Sequence, residues 1–352
     1  MNKSHQISII IPFYKRDDYA EKIYKSLDKQ SLAHSLLTEV IFVDSNSRIN
    51  LEKFLQNYVS GKFITYKVID TKNHVSTKRN CGIKNAISEK IVIIDDDCIP
   101  ESNFLNTHYL SLENSINKNV LICGDVKYYD NLIYSSNYFK FRNEKHSRAI
   151  KKNSMKKNIN FHNIVTMNMA FNKNSLVDNN LYFNETYNTY GFEDLQFAID
   201  AQLKGFSIMS NKAKIFHQDS TDLDLYYKKL KSFNNAYINL FYNHNIKYFT
   251  SLFLSQDLNM IKIKKDFNSY RMLSVSAKIN TFIKKNNLLM KPILKILFTI
   301  IKVIRAMLTK YLFFTDKYKF CYFYGIYTML IGISVLECLF ENKKINKNWI
   351  SK

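Results

Sequence analysis

The sequence predicts an α/β protein on a parallel, doubly wound sheet, on three observations. Short apolar runs recur through the first 125 residues, and they are continuous rather than alternating, as in strands covered on both faces. Stretches with helical spacing of apolar residues separate them. Two of the runs end directly on acid, at Asp44 and at Asp95-Asp96-Asp97. In such sheets ligands bind beyond the carboxyl ends of the strands, so two acidic ends on one edge mark a candidate site.

Each element has its own signal. The run 7–11 stops at Pro12, as a buried strand entering a turn does. Asp17 and Asp18 suit the first turn of a helix, and Ala20, Ile23, Tyr24 and Leu27 follow at helical spacing. Strands are predicted at 39–43 and 63–69, a helix over 76–88 with Ile83, Ala86 and Ile87 on one side, and a strand at 91–94. From about 126 to 185 the pattern is irregular and polar. Its basic stretch (Arg142, Lys145, Arg148, Lys151, Lys152, Lys156, Lys157) reads as a mobile loop. A strand at 165–171, a helix at 191–204 and a short strand at 213–216 follow. In that helix Leu195, Ala198, Ile199 and Leu203 face inward, and Gly205 caps the end.

Composition sets the frame. Hydrophobic residues make up 46% of 352, enough for a real core, so disorder of the whole chain is excluded. The formal charge of +21 is uneven: residues 1–220 hold 29 Lys+Arg against 23 Asp+Glu, whereas 221–352 hold 22 against 7. This predicts a sheet domain over 1–220 and a basic, mainly helical region over 221–352. A basic surface attracts anionic lipid, nucleic acid or acidic polysaccharide, and charge alone does not choose. The five cysteines show no ligand spacing and read as reduced thiols of a cytoplasmic protein; no signal peptide is expected.

Chemistry concentrates in three places. Three adjacent carboxylates repel one another unless a cation or donors compensate, and hard oxygen ligands at a strand end suit Mg²⁺ or Mn²⁺. An acidic turn capping the next element would use the same residues. Glu193 and Asp194 stand at a helix start behind Gly191, which suits either complementarity with the helix dipole or a general base facing an acceptor hydroxyl. His217 follows the strand at 213–216, as a satisfied polar group or a further metal ligand.

Taken in order, Ile9-Ile10-Ile11-Pro12-Phe13-Tyr14, Val43-Asp44, Arg79-Asn80-Cys81-Gly82 and Ile93-Ile94-Asp95-Asp96-Asp97 resemble the donor half of family 2 glycosyltransferases of GT-A fold. Asn168-Met169-Ala170-Phe171 and Gly191-Phe192-Glu193-Asp194 resemble the acceptor half, as in chondroitin-type polymerase modules and a galactosyltransferase C-terminal motif. The resemblance covers roughly 5–220. It implies a mixed sheet and inverting transfer from a nucleotide-diphospho-sugar, a UDP-sugar, to a hydroxyl of a surface polysaccharide or glycoconjugate. It assigns Pro12, Tyr14, Asp44, Arg79, Asp95, Asp96 and Asn168 to the donor, Asp97 and His217 to Mn²⁺ or Mg²⁺, Asp194 to the base, and Glu193 to the hydroxyls beside it. The only Trp is Trp349, so the Gln-x-x-Arg-Trp feature of processive synthases is absent, and Phe192 departs from some relatives.

The stretch 288–312 mixes apolar residues with Lys291, Lys295, Lys302, Arg305 and Lys310, a pattern suited to an interfacial helix on anionic lipid. Residues 320–336 run without a charge and stand at the short limit for a membrane span. Peripheral attachment to the inner face of the cytoplasmic membrane is expected, with a glycan or lipid-linked acceptor and no nucleic acid. A nucleotidyltransferase is disfavoured by the lack of a glycine-rich phosphate loop. A non-enzymatic nucleic-acid- or membrane-binding scaffold built on the basic tail is the alternative from another class.

Overall fold

The computed structural model describes residues 5–45, 49–153, 164–186, 193–218, 223–239, 290–317, 322 and 324–341. Two compact units divide the chain. The first is Met1–Asp130, Arg142–Asn188 and Glu193–Ser220, and the second is Asn131–Phe141, Thr189–Phe192 and Thr221–Lys352. Residues 131–141 therefore group with the C-terminal third rather than with the sheet.

The strands of the first unit are β1 (Ile7–Pro12), β2 (Thr38–Asp44), β3 (Ile64–Asp70), β4 (Lys90–Ile94), β5 (Cys98–Pro100), β6 (Val120–Lys127), β7 (Asn168–Asn172) and β8 (Ser207–His217). They form one sheet in the order β3-β2-β1-β4-β7-β6-β8-β5. β1 and β2 are buried at every residue, which is why their apolar runs are continuous. The sheet is mixed: β7 enters antiparallel between β4 and β6, and β5 pairs antiparallel with β8, while β6 and β8 are parallel. All strands except β7 and β5 therefore point the same way, and their carboxyl ends share one edge.

Helices α1 (Asp17–His34), α2 (Ile49–Asn57), α3 (Val75–Asn85) and α4 (Phe104–Glu113) connect the first strands. α1 buries Ala20, Ile23, Tyr24 and Leu27 and places Asp17 and Asp18 in its first turn, as its spacing predicts. α3 packs close to β1 because Gly82 has no side chain: a Cβ there would stand 2.3 Å from Ile10 Cγ2. It stops at Asn85, short of the predicted 88. Ala86 is extended and Ile87 is exposed, its N–H donating to Glu39 Oε2 at 2.9 Å, so Ile87 is not part of an inward face.

The basic stretch is a helix, not a loop. After α5 (Asp130–Ser135), α6 (Asn137–Asn153) includes Arg142, Lys145, Arg148, Lys151 and Lys152; Lys156 and Lys157 lie outside the described residues. No Gly or Pro interrupts it, and Tyr138, Phe139 and Phe141 are buried at its start. Polar composition hid a helix anchored by three aromatics. α7 (Lys173–Asp178) and α8 (Glu193–Leu203) complete the unit; Gly205, at a left-handed φ of 79°, follows α8 as predicted.

In the second unit the described helices are α9 (Leu223–Asn239), α10 (Met290–Lys317) and α11 (Tyr324–Glu341). Glu337 on α11 is buried and receives Arg305 of α10 at 3.0 Å, Lys231 of α9 at 3.6 Å and the Tyr227 hydroxyl at 2.9 Å. Phe141 stacks on Tyr327 at 4.7 Å, and Ser136 Oγ donates to Asp316 at 2.7 Å, which ties 131–141 to this unit. No described helix is long and apolar enough to cross a membrane.

Candidate active site

The shared strand edge of the first unit collects five carboxylates around two guanidinium groups. Asp95, Asp96 and Asp97 follow β4, while Glu193 and Asp194 open α8. Arg79 on α3 is almost wholly buried and reaches Asp95 at 3.2 Å, Glu193 at 3.2 Å and Asp194 at 2.9 Å. Asp194 also accepts from Thr166 Oγ1 at 2.6 Å, just ahead of β7. The antiparallel entry of β7 is what delivers Thr166 to this edge, because its amino end lies beside the carboxyl end of β4.

A second cation completes the other flank. Lys15 adopts a left-handed φ of 54°, and the turn there lets the Tyr14 N–H donate to Asp96 Oδ2 at 2.8 Å while Arg16 pairs with Asp96 and Asp97. Lys78 is buried nearby, with Nζ donating to the Phe13 carbonyl at 2.7 Å and lying 5.3 Å from the Tyr14 ring centroid. Burial pulls its pKa down against the charges of Asp44 and Asp96. Asp44 ends β2 in a buried position, with Oδ1 accepting from the Ser45 N–H at 2.6 Å.

The electrostatics follow from counting charges. One guanidinium faces Asp95, Glu193 and Asp194, so their charges are not all compensated. Burial, then the neighbouring Asp194 charge, pushes Glu193 up to about 7 in spite of Arg79. Burial likewise raises Asp96 to about 7 and raises Asp95. Asp97 is the exception. Burial acts to raise it, but hydrogen bonds and charge from His217 and Arg16 outweigh that and hold it well below the carboxylate range.

Asp97 is also where a divalent cation would fit. The start of β5 lies opposite the end of β8, in the register Cys98↔His217. His217 Nε2 stands 3.4 Å from Asp97 Oδ2, and the ligand atoms of Asp97, Cys98 and His217 lie within 4.8 Å of one another. Burial, then the adjoining aspartates, raises the Cys98 thiol well above its ordinary value, so without a cation it stays protonated. The remaining carboxylate and imidazole suit Mn²⁺ or Mg²⁺ with further oxygens from a diphosphate. His217 Nδ1 meets the Tyr128 hydroxyl at 3.0 Å, and that hydroxyl accepts from Arg142 Nε at 3.2 Å. The ring is thereby oriented with Nε2 towards Asp97.

The sequence-predicted residues do not all converge. Arg79, Asp95, Glu193 and Asp194 are bonded together, Tyr14 and Asp96 meet, and Asp97 meets His217. Pro12 ends β1 opposite Val43, one residue before Asp44. Asn168 is placed differently from its expected donor contact. It is fully buried, its Nδ2 donates to the carbonyls of Asp125 and Ala213, and its Oδ1 accepts from His108 Nε2 at 2.7 Å. Burial lowers His108 to about 4, so the imidazole there is neutral and Asn168 acts as a brace between strands. Gly191 lies outside the described residues. Arg16, Lys78, Thr166, Tyr128 and Cys98 are additions that sequence reasoning missed. Only Arg16 and Lys78 left a signal, as cations flanking motifs already noted.

Residues 8–178 match the family described as Glycosyl transferase family 2. That segment, just under half of the chain, is similar to family 2 glycosyltransferases. Its mixed sheet, with β7 reversed between β4 and β6, is the GT-A arrangement expected from the resemblance. The glycosyltransferase match ends before Glu193, Asp194 and His217, which the fold nevertheless brings to the same edge. Among solved structures, S. aureus TarS aligns at 18% identity over 72% of this chain and 43% of that one, with a TM-score of 0.44. TarS 1–349 in complex with UDP-GlcNAc aligns at 15% identity over 96% of this chain and 92% of that one, with a TM-score of 0.47. The same fragment with UDP aligns at 16% over 96% and 91%, with a TM-score of 0.46. The chain thus spans under half the length of the longer TarS structure. No curated protein matches the chain significantly.

Proposed function

We propose that the first unit transfers a sugar from a nucleotide-diphospho-sugar, a UDP-sugar, to a hydroxyl acceptor with inversion at the anomeric carbon. The observation that supports this best is Asp194. Its side chain is 26% exposed, yet Arg79 and Thr166 hold it in place beside Asp95. Such a carboxylate can reach an acceptor without losing its orientation. Asp194 takes the proton of the acceptor hydroxyl as that oxygen bonds to the anomeric carbon. The bond from that carbon to the diphosphate breaks in the same step, and its electron pair leaves on the diphosphate oxygen. A single displacement of this kind inverts the centre. Glu193, which keeps its proton up to about 7, can donate a hydrogen bond to a neighbouring hydroxyl or oxygen.

In this reading Pro12, Tyr14 and Asp44 would receive a uracil base, and Asp95 and Asp96 ribose and sugar. Asp97 and His217 would hold Mn²⁺ or Mg²⁺, which when bound neutralises charge developing on the leaving diphosphate. A glycan or lipid-linked acceptor of a surface polysaccharide or glycoconjugate fits this chemistry, and a lipid-linked one would bring the enzyme to the inner face of the cytoplasmic membrane.

Incubation of the full chain with a panel of nucleotide sugars and Mn²⁺, with release of the nucleoside diphosphate as readout, tests the reading. One UDP-sugar should be turned over, and Asp194→Asn and Asp97→Ala should each lower that rate by about 10³-fold or more, some 4 kcal/mol of barrier. Turnover by either variant at the parent rate overturns the proposal.

A further inference from the structure

Helix α10 carries an apolar stripe that is exposed among the described residues. Ile296, Ile300, Val303, Ile304, Met307 and Tyr311 are each between 41% and 66% exposed. At 100° per residue they fall within a sector of about 120°, and at 1.5 Å per residue they extend for about 22 Å. The side of α10 that packs within the unit is a different one, carrying Leu312 and Thr315, both buried, and Arg305, which pairs with Glu337. Single exposed apolar residues need no explanation, but a continuous stripe along four turns does.

Charge narrows what covers it. From Met290 to Lys317 the helix holds Lys291, Lys295, Lys302, Arg305, Lys310 and Lys317 against Asp316 alone. Lys302 and Lys310 are exposed, and Lys310 borders the stripe. Residues 221–352 carry a net +15. A second copy of the chain would set one strongly basic helix against another, at an electrostatic cost. A surface that is apolar below and anionic above meets both features at once: the stripe enters the headgroup boundary and the lysines meet phosphate. The helix is not apolar enough to cross a bilayer, so it would lie along one.

We propose that α10 docks the chain in the plane of an anionic lipid bilayer through this stripe. The proposal is drawn from the second unit alone and stands apart from the transfer reading. It is tested with the full chain and vesicles of phosphatidylcholine, with and without 30% phosphatidylglycerol, by sedimentation and by hydrogen exchange. Binding should require the anionic lipid and should slow exchange across 296–311. The variant Ile300→Asp/Met307→Asp should lose at least tenfold in vesicle affinity while its thermal unfolding stays at the parent temperature. Unchanged exchange in 296–311 on vesicle-bound wild-type protein overturns the proposal without reference to any variant. So does vesicle affinity retained by a folded Ile300→Asp/Met307→Asp chain, which would mean adsorption by charge alone. Failure to bind vesicles, with or without a dimer that the double variant dissociates, overturns it too. Turnover of a nucleotide sugar in solution is a separate readout, so failure here leaves the transfer reading unaffected.

Discussion

Each of the two units buries charge, and they do so in opposite ways. In the second unit a single carboxylate, Glu337, receives Arg305, Lys231 and the Tyr227 hydroxyl. In the first unit Arg79 is spread over three carboxylates and Arg16 over two. The Glu337 centre has more cations than carboxylates. The sheet edge is short of positive charge, and several of its carboxyls are pushed upward as a result. A buried cluster left short of cations costs stability, which is reasonable where a further cation and a ligand are to be received.

Removing the central charge of each cluster should separate the two most sharply. Arg79→Met leaves three carboxylates facing one another and should lower unfolding stability by about 3–5 kcal/mol in urea titrations. A loss under 1 kcal/mol would mean that the carboxylates are already solvated or protonated. Next in size, Tyr128→Phe removes the group that orients His217 and should weaken Mn²⁺ binding about tenfold or more by calorimetry in the presence of UDP, with little change in thermal unfolding. Glu337→Gln should cost less than the arginine change, about 1–2 kcal/mol, because Lys231 and Arg305 are partly exposed and can turn to water.

The last contrast is one of pH. Glu193 ionises near 7 when folded and near 4.5 in its ordinary state, so its contribution is fully present below 4.5 and is lost as pH rises through about 7. Over that window the ligand-free protein should lose stability with a slope of at most about 1.4 kcal/mol per pH unit from this group, and Glu193→Gln should flatten it. An identical slope in both proteins would show that another group carries the proton.

Much of this contrast was legible in the sequence. Asp44 and the triple aspartate close apolar runs, and Glu193-Asp194 opens a helix, because strand ends and first helical turns are local features. What escaped depends on pairing between distant segments. In the sequence Asp97 and His217 are joined only through the resemblance; the β5–β8 pairing that brings them together, and Cys98 with them, has no local signal. Arg16 lies beyond a strand in a turn whose left-handed residue no spacing announces. Asn168 resembled a ligand contact, yet its amide is used between strands. The helix α6 is obscured because ten of its residues, 142–153 apart from Ala149 and Ile150, advertise solvent more strongly than three aromatics advertise a core.

The register of β8 has a practical consequence for anyone cutting the gene. The recognisable family segment stops at 178, whereas β8 supplies His217 and pairs with both β6 and β5, and α8 supplies Asp194. A fragment trimmed to the recognisable segment would expose two strand edges and leave Arg79 with only Asp95 of its three partners. During synthesis the same holds for the growing chain, whose donor half emerges well before the residues that finish it. The shortest piece worth expressing therefore runs through residue 217.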